Sequence, residues 1–183
     1  MKKMAILVSG RGSNMQALLD QEGCNIRLVC SHRFLAAANF KARRNFIPVF
    51  APATRSESKT KKVDFSEWKQ FLKSRHISRL FLLGFMRIVP AEFINSFRSD
   101  ILNLHPSLLP LYPGLEAIEK SFHDKAPMGV TVHHVIPEMD AGKAIVQSLV
   151  FQSKDILEDF NRSSLMMTFR EHFVVRRVGE KWN

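Results

Sequence analysis

The sequence predicts an α/β fold in which a mostly parallel sheet is flanked by helices. Short apolar runs, which are typical of buried strands, alternate with segments whose apolar residues have helical spacing. No linker rich in proline, glycine or serine, no repeat and no low-complexity tract divides the chain. Its 183 residues suit one domain that buries a core without disulfides.

The first half supplies most of the predicted alternation of strands and helices. Met4–Ser9 is a short apolar run that glycine ends, which indicates a buried strand. The spacing of Met15, Leu18 and Leu19 predicts a helix that Ser13 can cap. Further strands are predicted at Ile26–Cys30, Ile47–Phe50 and Ser78–Leu83, and helices at Leu35–Arg44, Phe65–Ser74 and from Pro90 onward.

The second half is predicted to combine strands with a rigid loop. Pro106, Pro110 and Pro113 punctuate that loop. Strands are predicted at Ile101–Leu104, Val130–Val135 and Ala144–Val150, and a final amphipathic helix at Ile156–Phe173. Ligands of open α/β sheets bind at the carboxyl ends of the strands. The stretches expected there are Gly10–Asn14, Gly84–Val89 and Asn103–Gly114.

The charge balance favours anionic partners. Lys and Arg number 27 against 17 Asp and Glu, a formal net charge of +10. Nucleic acid, a membrane surface and small anions are all compatible with that excess. No apolar run is long enough for a membrane span, and no metal-ligand pattern is present. Two cysteines make a disulfide framework unexpected and indicate the cytoplasm.

The glycine-rich stretch Gly10–Asn14 has two interpretations. Glycines after a first strand allow backbone N–H groups to approach an anion, and the N-terminus of a helix adds favourable partial charge. The same residues also suit a tight strand-to-helix turn. The spacing is neither GxGxxG nor a Walker motif, so both interpretations stay open.

Asn103 and His105 are the strongest candidates for chemistry. Side chains at positions i and i+2 of a strand point to the same side. An amide donor beside an imidazole suits a developing oxyanion, because both groups can donate hydrogen bonds to it. Asp140 lies in a turn, where a carboxylate facing His105 would stabilise the charged ring. The alternative is that Asn103 and His105 only form hydrogen bonds to the loop backbone at the end of their strand, and that Asp140 is an ordinary turn residue.

Separated motifs together resemble the folate-dependent formyltransferase family over nearly the whole chain. The motifs are Ser9–Asn14, Gly84–Ile88, Asn103–Pro110, Tyr112–Gly114, Gly129–His133 and Met139–Gly142. The Gly-Arg-Gly-Ser-Asn loop and the Tyr-Pro-Gly turn look more like members that act on glycinamide ribonucleotide. The resemblance implies a Rossmann-like formyltransferase fold and transfer of a formyl group from 10-formyltetrahydrofolate to the ribonucleotide amine, in purine biosynthesis and without a metal.

The resemblance also implies site residues, position by position. The expected catalytic residues are Asn103, His105 and Asp140. The expected substrate-binding residues are Gly12, Ser13, Asn14 and Glu171. The expected folate-binding residues are Lys61, Met86, Arg87, Ile88, Val89, Asn103, Ile136, Pro137, Glu138, Met139 and Asp140. The domain then spans residues 1–183, with a phosphate-binding half at about 1–100 and a catalytic and folate-loop half at about 101–183.

The sequence departs from the family pattern at positions expected to affect folate affinity and at the C-terminus. Lys61 or Lys62 stands where an arginine is expected, and lysine lacks the bidentate fork that arginine offers a carboxylate. Lys143 follows Gly142 where the family often has Gly-Pro, and the C-terminus is shorter than usual. The family continues into a final strand region, so the last sheet edge is expected to be abbreviated.

Other functions remain open from the sequence. A related formyltransferase acting on an amino sugar nucleotide or on methionyl-tRNA is one, although a tRNA enzyme needs a further RNA-binding domain. A hydrolase of 10-formyltetrahydrofolate and a non-catalytic anion- or nucleic-acid-binding protein are the others. The expected partners are small molecules, with nucleic acid and membrane not expected, in a monomer or homodimer.

Overall fold

The computed structural model describes residues 2–52, 63–97 and 100–182. The chain forms two compact units, one of the residues up to 101 and one spanning Leu102–Trp182. Each unit is built around its own group of strands, and the units are described in turn.

The first unit contains a parallel sheet. Its strands are β1 (Met4–Val8), β2 (Ile26–Ser31), β3 (Val49–Phe50) and β4 (Arg79–Leu82), in the order β3-β2-β1-β4. Every residue of β1 is buried, and Ile6 pairs with Val29 on one side and Phe81 on the other. Central strands of a parallel sheet are buried on both faces, so their sequences are continuously apolar and do not alternate between apolar and polar residues. The helices are α1 (Ser13–Leu19), α2 (Ala37–Arg44), α3 (Phe65–Ser74) and α4 (Ala91–Ser96).

The turn between β1 and α1 corrects one prediction. Ser13 does not cap α1: it is the first helical residue, and the cap position belongs to Gly12, which makes no side-chain cap bond. Gly12 has φ +67°, and an added Cβ would lie 2.7 Å from Cβ of Ala38. Both the left-handed backbone and the close approach of α2 therefore require glycine at this position.

The second unit contains antiparallel strands. Its sheet comprises β5 (Asp100–His105, with the residues from 102 onward in this unit), β6 (Met128–His134) and β7 (Ala144–Phe151), in the order β5-β6-β7. Both of these pairings are antiparallel. The connection from β6 to β7 contains no helix among its residues, and a parallel pair needs a longer crossover.

The helices of the second unit differ from the prediction. The helix α5 (Ala117–His123) was not predicted. The last helix, α6 (Phe160–Lys181), begins four residues later than expected and continues past Phe173. Its start follows the cap residue Asp159, whose carboxylate accepts hydrogen bonds from two backbone N–H groups.

The predicted fold class is confirmed. Three of the five described strand pairings are parallel, and strands alternate with helices as far as β6. The described antiparallel pairings lie in the second unit. No helix within the described ranges is long and apolar enough to cross a membrane.

Candidate active site

The register of β5 and β6 brings four polar side chains to one side of the second unit's sheet. Asn103 pairs with His133, and His105 pairs with Thr131. Each strand contributes residues two positions apart, and directly paired residues share a face. His105, Thr131 and His133 are buried, and Asn103 is partly buried. A polar group at this depth requires hydrogen-bond partners.

Asp140 reaches the same side from the connection between β6 and β7. Its backbone has φ 52°, a left-handed conformation that aspartate tolerates better than most residues. The turn runs close to β6: a Cβ on Gly142 would lie 1.8 Å from the carbonyl oxygen of His134. Gly142 therefore allows the approach that places Asp140 beside β5 and β6.

The Asp140 carboxylate contacts three of these four side chains. Oδ2 accepts the backbone N–H of Gly114 at 2.8 Å and lies 3.4 Å from Nδ1 of His105. Oδ1 accepts a hydrogen bond from Nδ2 of Asn103 at 3.4 Å and lies 3.5 Å from Nε2 of His133. The structure thus brings Asn103, His105 and Asp140 together.

Asp140 is ionised in this setting. Its side chain is 11% exposed, and burial acts to raise the pKa. Hydrogen bonds from His133 and from the Gly114 N–H, with the charges of His105 and His133, outweigh burial and hold the pKa of Asp140 below its ordinary value. The site therefore presents a fixed negative charge to its imidazole neighbours.

The hydrogen bonds of His105 suit a doubly protonated ring. Nε2 lies 2.8 Å from the carbonyl oxygen of Tyr112, which can only accept, so this nitrogen carries a proton. Nδ1 faces the Asp140 carboxylate, which also only accepts when ionised. A neutral ring satisfies one of these acceptors, whereas an imidazolium satisfies both.

His133 is a member of the site that sequence reasoning missed. Its Nδ1 donates to the carbonyl oxygen of His134 at 2.9 Å, and its Nε2 lies 3.1 Å from Nδ2 of Asn103 and 3.5 Å from Oδ1 of Asp140. Nδ2 of Asn103 therefore lies within hydrogen-bonding distance of both His133 and Asp140. The signal in the sequence was the His-His pair, since one of two adjacent strand residues must face the same side as Asn103.

The loop after β5 is fixed by a buried hydroxyl. Thr131 Oγ1 donates to the carbonyl oxygen of Ser107 at 2.6 Å and accepts the backbone N–H of Leu109 at 3.1 Å. Ser107 Oγ in turn donates to the carbonyl oxygen of Leu111. These bonds hold the segment that supplies the Tyr112 carbonyl and the Gly114 N–H.

The remaining predicted residues divide between the two units. Gly12, Ser13, Asn14 and the segment Met86–Val89 belong to the first unit. Ile136, Pro137, Glu138 and Met139 lie exposed in the β6–β7 connection, and partly buried Glu171 lies in α6. Lys61 lies outside the described residues. Across the ranges that the structure describes, no group of three or more His, Cys, Asp or Glu side chains is arranged to hold a metal ion.

The fold and this arrangement of residues define a formyltransferase-type protein. The family model described as Formyl transferase matches residues 2–172, and the chain belongs to that family. The resemblance inferred from the motifs is confirmed.

Particular relatives narrow the class. The chain is 32% identical to the phosphoribosylglycinamide formyltransferase of Haemophilus influenzae over 82% of this chain and 73% of that protein. The crystal structure of phosphoribosylglycinamide formyltransferase from Anaplasma phagocytophilum has a TM-score of 0.86 at 30% identity, covering 98% of this chain and 85% of that one. The protein of that name from Streptococcus pneumoniae has a TM-score of 0.87 at 26% identity, covering 100% and 99%.

Longer relatives also contain a matching region. The human trifunctional purine biosynthetic protein adenosine-3 is 35% identical over 81% of this chain. The chain spans only 15% of that human protein, and 14% and 11% of its two Drosophila counterparts.

Proposed function

We propose that this chain transfers the formyl group of 10-formyltetrahydrofolate to the amine of glycinamide ribonucleotide, a step of purine biosynthesis. The observation that carries the proposal is that Asn103 and His105 each lie 3.4 Å from the ionised carboxylate of Asp140 in the second unit. Relatives matched over most of their length carry the name phosphoribosylglycinamide formyltransferase.

The chemical step begins with attack of the amine on the formyl carbon. A C–N bond forms, and the carbonyl oxygen becomes an oxyanion in a tetrahedral intermediate. The bond from the formyl carbon to N10 of the folate then breaks, N10 takes up a proton, and the attacking nitrogen loses one. The residues of the site must therefore stabilise an oxyanion and allow a proton to move.

Asn103 and His105 are the proposed oxyanion donors. Asn103, His105, His133 and Asp140 form a polar cluster. The hydrogen bonds that tie this cluster to the loop backbone are short: Gly114 N–H to Asp140 Oδ2 at 2.8 Å, and His105 Nε2 to the Tyr112 carbonyl oxygen at 2.8 Å. The hydrogen bond from Asn103 Nδ2 to Asp140 and the ion-pair contact from His105 Nδ1 to Asp140 are longer, at 3.4 Å each. These weaker contacts are the ones that can be exchanged for a ligand, since catalytic hydrogen bonds often tighten only in the complex.

Asp140 supports the step without donating to the oxyanion. Its charge stabilises the imidazolium form of His105, and its free lone pairs can orient a water that carries the proton away from the amine. The Gly114 N–H fixes one carboxylate oxygen, so the charge keeps its position as the intermediate forms.

The residues proposed to bind the ribonucleotide and the folate are those that match the family's motifs. Gly12, Ser13 and Asn14 would hold the ribonucleotide phosphate at the N-terminus of α1, where the left-handed Gly12 allows close approach of the backbone. Glu171 would contact the ribonucleotide. The folate would contact Met86–Val89, Ile136–Asp140, Asn103 and Lys61.

The proposed setting is the cytoplasm, with the enzyme a monomer or homodimer that acts on small molecules. The small number of cysteines, Cys24 and Cys30, supports a reducing compartment. The net charge of +10 favours recruitment of an anionic phosphate and an anionic folate.

The decisive experiment follows the loss of 10-formyltetrahydrofolate with and without glycinamide ribonucleotide. The proposal expects loss that depends on the ribonucleotide and one formylated product per cofactor consumed. Loss at the same rate without the ribonucleotide would instead indicate a hydrolase. No loss with the ribonucleotide present would refute the proposed acceptor.

A further inference from the structure

Three segments of the first unit meet at one buried hydroxyl. Ser9 follows β1, His32 follows β2, and Met86 lies two residues after Gly84 beyond β4. Ser9 is 3% exposed, its Oγ accepts the backbone N–H of Met86 at 2.7 Å, and Oγ lies 3.2 Å from Nδ1 of His32. The chain therefore connects the ends of three parallel strands through two hydrogen bonds.

The direction of each hydrogen bond follows from the groups involved. The Met86 N–H can only donate, so Ser9 Oγ accepts there and its own hydroxyl proton is available for His32. Nδ1 can accept that proton only when it carries a lone pair. Burial, followed by the charges of Arg87 and Arg33, lowers the pKa of His32 to about 4, so the ring is neutral near pH 7.

The geometry makes His32 an orienting group for the hydroxyl. With its proton directed at Nδ1, Ser9 presents a lone pair to the Met86 N–H. The ring is itself held in place by the edge of Phe85, at 5.7 Å between ring centroids. Removal of the acceptor at position 32 would leave the hydroxyl free to rotate away from this arrangement.

The Met86 peptide begins a segment in which two side chains contribute little packing. Met86 and Ile88 are 62% and 79% exposed. Gly84, just before the segment, has φ +70° and so permits a sharp change of direction after β4. The Ser9 hydrogen bond, together with the ring contacts of Phe85, therefore holds the start of the Met86–Val89 segment.

We propose that His32 is a positioning residue: through Ser9 it holds the Met86 peptide in the orientation with which the Met86–Val89 backbone receives the folate. This inference rests on the proposed function, in which that segment contacts 10-formyltetrahydrofolate. Neither Ser9 nor His32 takes part in the formyl transfer itself.

The test compares His32→Leu and Ser9→Ala with His32→Asn. Loss of one hydrogen bond should raise KM for 10-formyltetrahydrofolate roughly three- to tenfold and leave kcat within about twofold, as expected when ground-state and transition-state binding weaken equally. His32→Asn should restore a KM near that of the wild type, because Oδ1 of asparagine takes the place of Nδ1 and accepts the same proton. His76→Asn removes an exposed histidine of the same unit and is the matched control.

Amide hydrogen exchange at Met86 gives a second readout that needs no turnover. We expect faster exchange in His32→Leu and Ser9→Ala, and wild-type exchange in His32→Asn. Unchanged exchange and KM in the first two variants would overturn the positioning role, and so would an equal rise in KM for His32→Asn. If the wild type shows no ribonucleotide-dependent turnover, the proposed function fails, while the exchange data still decide whether His32 holds the Met86 peptide.

Discussion

The substitution Asp140→Asn removes the charge at the centre of the cluster while preserving the shape of the side chain. The carboxylate accepts from Gly114 N and from Asn103, one hydrogen bond on each oxygen. An amide has a single acceptor oxygen, so it can satisfy only one of these donors. The His105 ring also loses the anion that lies 3.4 Å from its Nδ1.

The expected loss follows from the distances. Two unit charges about 4 Å apart in a partly solvated site interact by roughly 4 kcal/mol, which bounds what the anion contributes to the imidazolium. Loss of one oxyanion donor typically costs roughly 3–4 kcal/mol, a fall of about 10²–10³ in kcat. We expect Asp140→Asn to lower kcat by about 10²–10³, because without the anion the charged form of the His105 donor is destabilised.

The assay measures ribonucleotide-dependent loss of 10-formyltetrahydrofolate beside the thermal midpoint of unfolding. Asp155→Asn, which neutralises an exposed carboxylate in the same unit, is the matched control and should retain wild-type kcat. A folded Asp140→Asn enzyme within about threefold of wild-type kcat would refute the reasoning. An equal fall in the Asp155 variant would show that the effect is not specific to the cluster.

Three further outcomes are expected. Asn103→Ala should fold normally and lose about 10²–10³ in kcat, as measured by the same assay with unfolding curves beside it; activity near that of the wild type would contradict an oxyanion role. Gly142→Ala should lower the unfolding midpoint, because the new Cβ would lie 1.8 Å from the His134 carbonyl, whereas Gly10→Ala, with nothing within 4 Å, should change it little. Because the pKa of Asp140 is lowered on folding from its ordinary 3.8, its stabilisation is present above about pH 4 and is lost as the pH falls further. Urea midpoints of the wild type should therefore fall more steeply below pH 4 than those of Asp140→Asn, and parallel curves would contradict this linkage.

Helices and strands with simple periodicity were predictable from local sequence. The helix at Phe65–Ser74 has the predicted bounds, because its apolar spacing and its cap residue Asp64 are both local signals. The helix α5 was missed since it follows a proline-rich loop and is only seven residues long. The extension of α6 past Phe173 depends on the burial of Val174, Val175 and Val178, which continues the apolar spacing.

The candidate site was partly predictable for a similar reason. Asn103 and His105 lie two positions apart on one strand, so local geometry already places them on one side. The inclusion of His133 depends on the pairing register of β5 with β6, which joins residues 30 positions apart. Hydrogen bonds from Gly114 and Tyr112 depend on a loop that Thr131 holds, and no local pattern specifies that contact.

The sequence alone determined the fold class, the family and the residue types available for oxyanion stabilisation, because periodicity and short motifs are local properties of the chain. Tertiary structure alone decided which histidines surround Asp140, that this carboxylate is ionised, and that a neutral His32 lies against Ser9. Those properties depend on distances and burial between segments far apart in sequence. Charge and protonation respond to such distances, and the order of residues does not specify them.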